Sequence, residues 1–142
     1  MIVENKGKVF FLFAGVLFFS AITYYAFYHV DRMDTAKAPT EVKISSENLV
    51  TSFLADENSA NSKFVEKTIE VAGVVREITF LNDRYTIFLQ GGGEFCLMCD
   101  MQANQLEKVR SIRPGQEVLL KGICKGFLID AILLNCVLLN KN

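Results

Sequence analysis

Thr68-Ile-Glu-Val-Ala-Gly-Val-Val75 and, beyond the punctuating Asn82-Asp83, Tyr85-Thr-Ile-Phe-Leu-Gln90 are the two runs whose reading decides the fold. In the first, β-branched Ile69, Val71, Val74 and Val75 dominate and Gly73 interrupts, the composition of a strand. A glycine inside a strand marks a bulge or sharp bend, which a small barrel needs where one strand serves both of its sides. The second run alternates cleanly, with Tyr85, Ile87 and Leu89 on one face and Thr86, Phe88 and Gln90 on the other. Gly91-Gly92-Gly93 then permits the positive φ of a tight reversal into a third strand, Glu94 to Asp100.

Toward the C-terminus, Gln102 to Ser111 breaks the alternation and spaces Leu106 and Val109 at i and i+3, which predicts a short helix. Pro114-Gly115 supplies a turn, and Gln116 to Phe127 and Ala131 to Leu139 read as two more strands reversing near Ile129-Asp130. Toward the N-terminus, Ser45 or Ser46 offers a helix cap, with Glu47 against the positive end of the helix dipole. Leu49, Val50, Phe53 and Leu54 then share a face, which Ala60 and Phe64 extend past the polar stretch from Asp56 to Ser59. The bland reading of this stripe, packing against a core, is the one adopted.

The chain has 142 residues, 51% hydrophobic and 22% charged, too apolar for disorder and too short for two ordinary domains. Six of its 12 Phe residues lie between Phe10 and Phe27, inside a run from Val9 to Val30 that carries no formal charge. As a helix at about 1.5 Å per residue, that run crosses a hydrocarbon core of about 30 Å. Lys6 and Lys8 precede it, whereas Asp31, Arg32 and Asp34 follow, which predicts a cytoplasmic N-terminus and a domain outside. Tyr24, Tyr25 and Tyr28 suit the outer headgroup layer. A cleaved signal peptide competes with this reading, but the apolar run is longer than a secretory core, and bulky aromatic residues follow it instead of small ones. The expected organisation is therefore a cytoplasmic tail over 1–8, a retained anchor over 9–30, a solvated linker over 31–44 and one domain over 45–142.

The order helix, three strands, helix, two strands matches the five-stranded, partly open Greek-key barrel known as the OB-fold. The fold class is thus mostly β with helices: a transmembrane helix followed by an OB-fold barrel with an extra N-terminal helix. The sequence resembles the tRNA-anti-like OB-fold family of bacterial membrane-tethered or lipoprotein domains. The resemblance rests on Ala60 to Phe64, Glu70 to Val75, Gly91 to Gly93, Cys99, Pro114 to Val118, Lys121 to Gly126 and Asn135-Cys136, and covers about residues 45 to 140. It implies a fold and a cell-envelope address; the nucleic-acid part of the name comes from distant relatives.

Four cysteines, Cys96, Cys99, Cys124 and Cys136, would meet oxidising conditions outside the cytoplasm. If the last two strands reverse at Asp130, Cys124 and Cys136 fall six residues either side of the turn and face each other, so a Cys124–Cys136 disulfide is expected. Two buried free thiols are the alternative. Cys96-Leu97-Met98-Cys99 has the spacing of a redox dithiol, but on a strand i and i+3 point to opposite faces, and the flanks lack a helix N-terminus. A four-cysteine zinc site is disfavoured because eleven residues separate the second pair, so no metal is expected.

From Asp31 onward acidic residues slightly outnumber basic ones, with no Lys/Arg cluster, which disfavours a dedicated polyanion binder. The sole histidine, His29, ends the apolar run, leaving the domain's serines without a base and a haem without its attaching imidazole. Asp56-Glu57 reads as a solvated face, and the glycine run, with no Gly-Lys-Ser/Thr following, as a hairpin turn instead of a phosphate cradle.

OB-folds bind ligands across their second and third strands, so Phe88 and Thr86, with Arg76, Arg84 and Lys121 as neighbours, form the candidate ligand face. A stacking aromatic beside cations would suit single-stranded nucleic acid. The competing reading, preferred because Leu49, Phe53 and Phe64 need a surface to cover, places Phe88 beneath the N-terminal helix. The expected function is a non-catalytic, membrane-anchored, extracytoplasmic module, without cofactor, that binds a protein, peptide or small ligand. Nucleic-acid binding and thiol-disulfide exchange are the alternatives.

Overall fold

The computed structural model describes residues 2–30 and 34–141, as two compact units divided after Asp34. The first unit is one helix, α1 (Ile2–Val30). Its stretch Lys6–Phe27, 22 residues with a mean hydropathy of 2.0, is long and apolar enough to cross a membrane. Within it Ser20 and Thr23 return their hydroxyls to carbonyls three and four residues back, so neither polar group is left bare on an apolar rod.

The second unit holds β1 (Val42–Ser45), α2 (Ser46–Ala55), α3 (Glu57–Phe64), β2 (Thr68–Leu81), β3 (Arg84–Gln90), β4 (Cys96–Met101), a 3-10 turn (Ala103–Gln105) leading into α4 (Leu106–Val109), β5 (Glu117–Phe127) and β6 (Ala131–Lys141). Strands β2, β3, β4, β6 and β5 are neighbours in that order, and β5 pairs back onto β2, which closes a five-stranded barrel. Closure leaves the ring without an unpaired strand edge. The chain does this with one long strand. The first half of β2, Thr68 to Val74, pairs antiparallel with β5, and its second half, Val75 to Leu81, pairs with β3.

The change of partner occurs at a bulge between Val75 and Glu77, three residues beyond the glycine expected to mark it. Gly73 has another task. A Cβ there would stand 2.4 Å from Ser46 Oγ and 3.1 Å from Leu89 Cδ1, so its bareness admits the start of α2 against the barrel. Ser46 Oγ uses that proximity to donate to the Gln90 carbonyl at 2.6 Å.

The strand periodicities fill the barrel with Val71, Val75, Ile87, Leu89, Leu97, Cys99, Leu120 and Leu133, all at most 1% exposed. Leu49, Val50 and Phe53 of α2 join the same core, with Phe53 against Phe64 and Phe127 at ring-centroid distances of 6.1 and 6.0 Å. Phe95 extends this row of rings, 5.9 Å from Phe127. Val109 and Ile112 add a further buried pair at the α4 connection. The stripe expected to be one helix is two, because Asp56 ends α2 and its side chain accepts from Ser59 N to cap α3. Ser45, as expected, caps α2 by accepting from Asn48 N.

Two expectations need correction. The linker expected over 31–44 is not solvated throughout. Residues 31–33 lie outside the described residues, but Thr35 is 1% exposed and accepts from Gln102 Nε2 at 3.1 Å. Val42 to Ser45 is an added strand parallel to β2. The polar composition of this segment hid a strap held by side chains distant in sequence. The second correction concerns the cysteines, all four of which are buried free thiols. Cys124 stands opposite Leu133, three residues short of Cys136: Phe127 pairs with Ala131, so the turn is centred on Ile129 instead of Asp130, which moves the register by two, and the bulge at Cys124/Gly126 adds the third.

Candidate ligand-binding face

The outer face of β2, β3 and β4 follows from the alternation that fills the core. With Ile87 and Leu89 inward, Thr86 and Phe88 point out; Phe88 is half-buried, with Glu77 of β2 on one side and Met98 of β4 on the other. The parallel pairing of β4 with β6 sets Met98 beside Ile132, also half-buried and outward. Phe88, Met98 and Ile132 thus form an apolar cross-strand row, the kind of surface on which a ring or an apolar side chain can rest.

The polar groups around this row are engaged. Arg84 Nη2 pairs with Asp100 Oδ2 at 2.9 Å, across Thr86, which stands between Thr79 and Asp100. Arg76, the bulge residue, directs Nη1 to the Glu94 carbonyl at 3.1 Å and to Cys96 Sγ at 3.2 Å. Asp130, from the β5–β6 turn, accepts from Cys96 N at 2.8 Å and so ties that turn to the start of β4. The face therefore offers an apolar centre with a rim of partnered charges.

Of the five residues expected to share the face, four do: Phe88, Thr86, Arg76 and Arg84. Lys121 does not. It is 7% exposed on β5, between Glu70 of β2 and Val137 of β6, and its ammonium donates to the carbonyls of Ala36 and Ala38. A buried ammonium requires such acceptors, and the strap supplies them. The preference for Phe88 beneath the N-terminal helix is also corrected. Helix α2 packs through Phe53 on Phe64 and Phe127, and Phe88 is absent from the core that α2 joins. Met98 and Ile132 were missed because both strands carry apolar residues on both faces, which conceals the outward set.

Cys96 and Cys99 point to opposite sides of β4, as their spacing requires. Cys96 lies beside Arg76, and Cys99 is in the core next to Cys136, whose thiol is pushed well above its usual range by burial and by the Cys99 thiol. Burial also raises the Cys124 thiol. Among the described residues no group of three or more His, Cys, Asp or Glu side chains is placed to hold a metal ion.

A solved structure similar to this chain is that of a candidate nucleic acid-binding lipoprotein from Klebsiella pneumoniae, at 13% identity and a TM-score of 0.60, covering 72% of this chain and all of that one. An OBody bound to hen egg-white lysozyme matches at 14% identity and a TM-score of 0.45, over 56% of this chain and 87% of that one. The asparaginyl-tRNA synthetase from Pyrococcus horikoshii matches at 12% and 0.43, over 56% and 21%. At these identities the likeness is one of fold. No curated protein matches. A family model described as tRNA_anti-like matches residues 4–138, so helix and barrel together fall within it, and the chain belongs to the tRNA_anti-like family.

Proposed function

We propose that this protein is a non-catalytic binding module, anchored by α1 in a membrane of the bacterial envelope, with the barrel on the extracytoplasmic side. Its ligand would be a protein, peptide or small molecule that rests an apolar group on Phe88, Met98 and Ile132. One observation carries the reading: an outward apolar row, half-buried and rimmed by polar groups, crosses the strands that OB-folds use for ligands. Sidedness is supported by Lys6 and Lys8, the nearer positive charge, before the apolar run, with Arg32 flanked by Asp31 and Asp34 after it. The lipoprotein among the structural neighbours is in keeping with an envelope address.

Single-stranded nucleic acid is the weaker occupant, because the two arginines on the face are already engaged, Arg84 by Asp100 and Arg76 by Glu94 and Cys96. Stacking on one aromatic ring would have to proceed without free cations for the backbone. The test places a photo-crosslinking phenylalanine analogue at position 88 of the full anchored chain in cells with intact envelopes. A discrete crosslinked product that disappears with Met98→Lys supports the reading. Products no different from those formed from exposed Lys63, or tight binding of a single-stranded oligonucleotide that weakens steeply with salt, overturn it.

A further inference from the structure

The inward side of the β2–β3 ladder does not end with the core. Beyond Ile87, buried opposite Ile78, it continues as Tyr85 opposite Phe80, half-buried and exposed respectively. The connection from α4 to β5 is fixed against β2 nearby: Gly115 N donates to the Val75 carbonyl at 2.7 Å, and Val75 N to that of Gln116 at 2.8 Å. Between ladder and connection is an open cleft of about 340 Å³, with Ile78 and Tyr85 on one side and Val109, Ile112 and Pro114 on the other. It is separate from the row of Phe88, Met98 and Ile132, because Phe88 lies on the outer side of the same ladder.

The polar lining of this cleft is mostly cationic: Arg76, Arg110 and Arg113, against one carboxylate, Glu77. From Thr35 onward acidic residues outnumber basic ones, yet three of the four arginines in that stretch are gathered here. Like charges brought together in a recess repel, and an anion between them relieves the repulsion. Arg113 is held ready for one. Its Nη1 donates to the carbonyls of Arg110 and Ile112 at 2.9 and 3.0 Å, which orients the guanidinium, and it makes no ion pair among the described residues. Arg110 meets Glu107 at 3.2 Å with the two side chains 65% and 84% exposed, a weak contact that a better-placed anion displaces. Arg76 stays on the Glu94 carbonyl and Cys96 and adds its charge from there. Tyr85, braced by Phe80 at a centroid distance of 4.6 Å, offers an immobilised ring beside these cations.

We propose that this cleft binds a small organic oxyanion, with its planar apolar body on Tyr85 and its carboxylate or phosphate group between Arg110 and Arg113. Apolar walls with a few convergent polar groups are the usual makeup of small-molecule sites. The fork of a guanidinium meets two oxygens of either anionic group at once.

The test uses the full chain in dodecyl maltoside micelles, labelled with nitrogen-15 arginine, and follows the Nε–H resonance of each arginine, assigned through single Arg→Lys variants. Benzoate, phenyl phosphate and benzyl alcohol are titrated separately. The resonances of Arg110 and Arg113 should move along a saturating curve with benzoate or phenyl phosphate and stay in place with benzyl alcohol, while Arg84, held by Asp100, stays in place throughout. Whichever anion saturates at the lower concentration identifies the group the cleft prefers. Arg110→Gln removes one charge-assisted contact and should raise the half-saturating concentration about tenfold, with an unmoved Arg84 resonance showing that the barrel is intact. Shifts that rise without saturating, an equal response from Arg84, saturation by benzyl alcohol, or an unchanged half-saturation in Arg110→Gln overturns the site. Inorganic phosphate matching phenyl phosphate overturns it too, since that identifies an adventitious ion only. None of these readouts depends on the membrane sidedness of the barrel or on the Phe88 row.

Discussion

The thiol of Cys136 lies against that of Cys99, on the parallel strand β4, and not across the hairpin from Cys124, which faces Leu133. Each of these three cysteines is 0% exposed. Iodoacetamide at neutral pH should therefore modify none of the three in the native protein and all of them in urea, as read by mass spectrometry. Rapid native modification of Cys99 or Cys136 would contradict the packing.

Burial raises the folded-state pKa of Cys136 and Cys124, so the folded protein keeps thiol protons that the unfolded chain gives up in base. The associated stability is fully present below the unfolded thiol value of about 8.5 and is lost as the pH climbs from there toward the folded values. Denaturant midpoints for the wild type should fall between pH 8 and 10, and Cys136→Ala should flatten that fall.

Gly122 and Cys136 are coupled by space, since a Cβ on Gly122 would stand 2.5 Å from Cys136 Sγ. Gly122→Ala should destabilise by about 1–3 kcal/mol through overpacking. Adding Cys136→Ala removes the obstructing sulfur, so the double variant should be more stable than the sum of the single losses predicts. Chemical denaturation of the four proteins checks this.

Lys121→Met keeps most of the volume and removes the donor to Ala36 and Ala38. Leaving those carbonyls without it should cost about 1–3 kcal/mol. The loss should be local first: hydrogen exchange should accelerate in residues 35–41 before it does in β2.

Phe88→Ala and Phe53→Ala should separate the outer face of the barrel from the core. Phe53, 3% exposed, packs in the row of rings, and its truncation should cost about 3–5 kcal/mol. Phe88 is half-buried outside that core, so its loss should leave most of the stability, as read from denaturant midpoints. A small capping variant, Asp56→Ala, should cost about 1 kcal/mol by freeing the first turn of α3, measured as a shift in the thermal midpoint.

The barrel was legible because its signals are local. Alternation in Tyr85 to Gln90 placed Ile87 and Leu89 inward from two-residue periodicity alone, and the family resemblance, rooted in turns such as Pro114-Gly115, supplied the strand order. The apolar run from Val9 to Val30 was equally plain, since its length and its lack of charge need no partner to be read. The candidate face was half legible: parity turned Phe88 and Thr86 outward, with Arg76 and Arg84 expected as their neighbours, while Met98 and Ile132 were hidden by strands apolar on both sides.

What the amino acids settled unaided, then, is where the apolar helix and the five barrel strands lie and which face of β3 is inward, for these depend on neighbours two to four residues away. Tertiary structure alone decided that Cys136 meets Cys99, that Lys121 clamps the strap at Ala36 and Ala38, and that α2 leaves Phe88 uncovered. Each of these depends on register between strands far apart in the chain, and bulges between Val75 and Glu77 and between Cys124 and Gly126 shift that register in ways side-chain periodicity does not reveal.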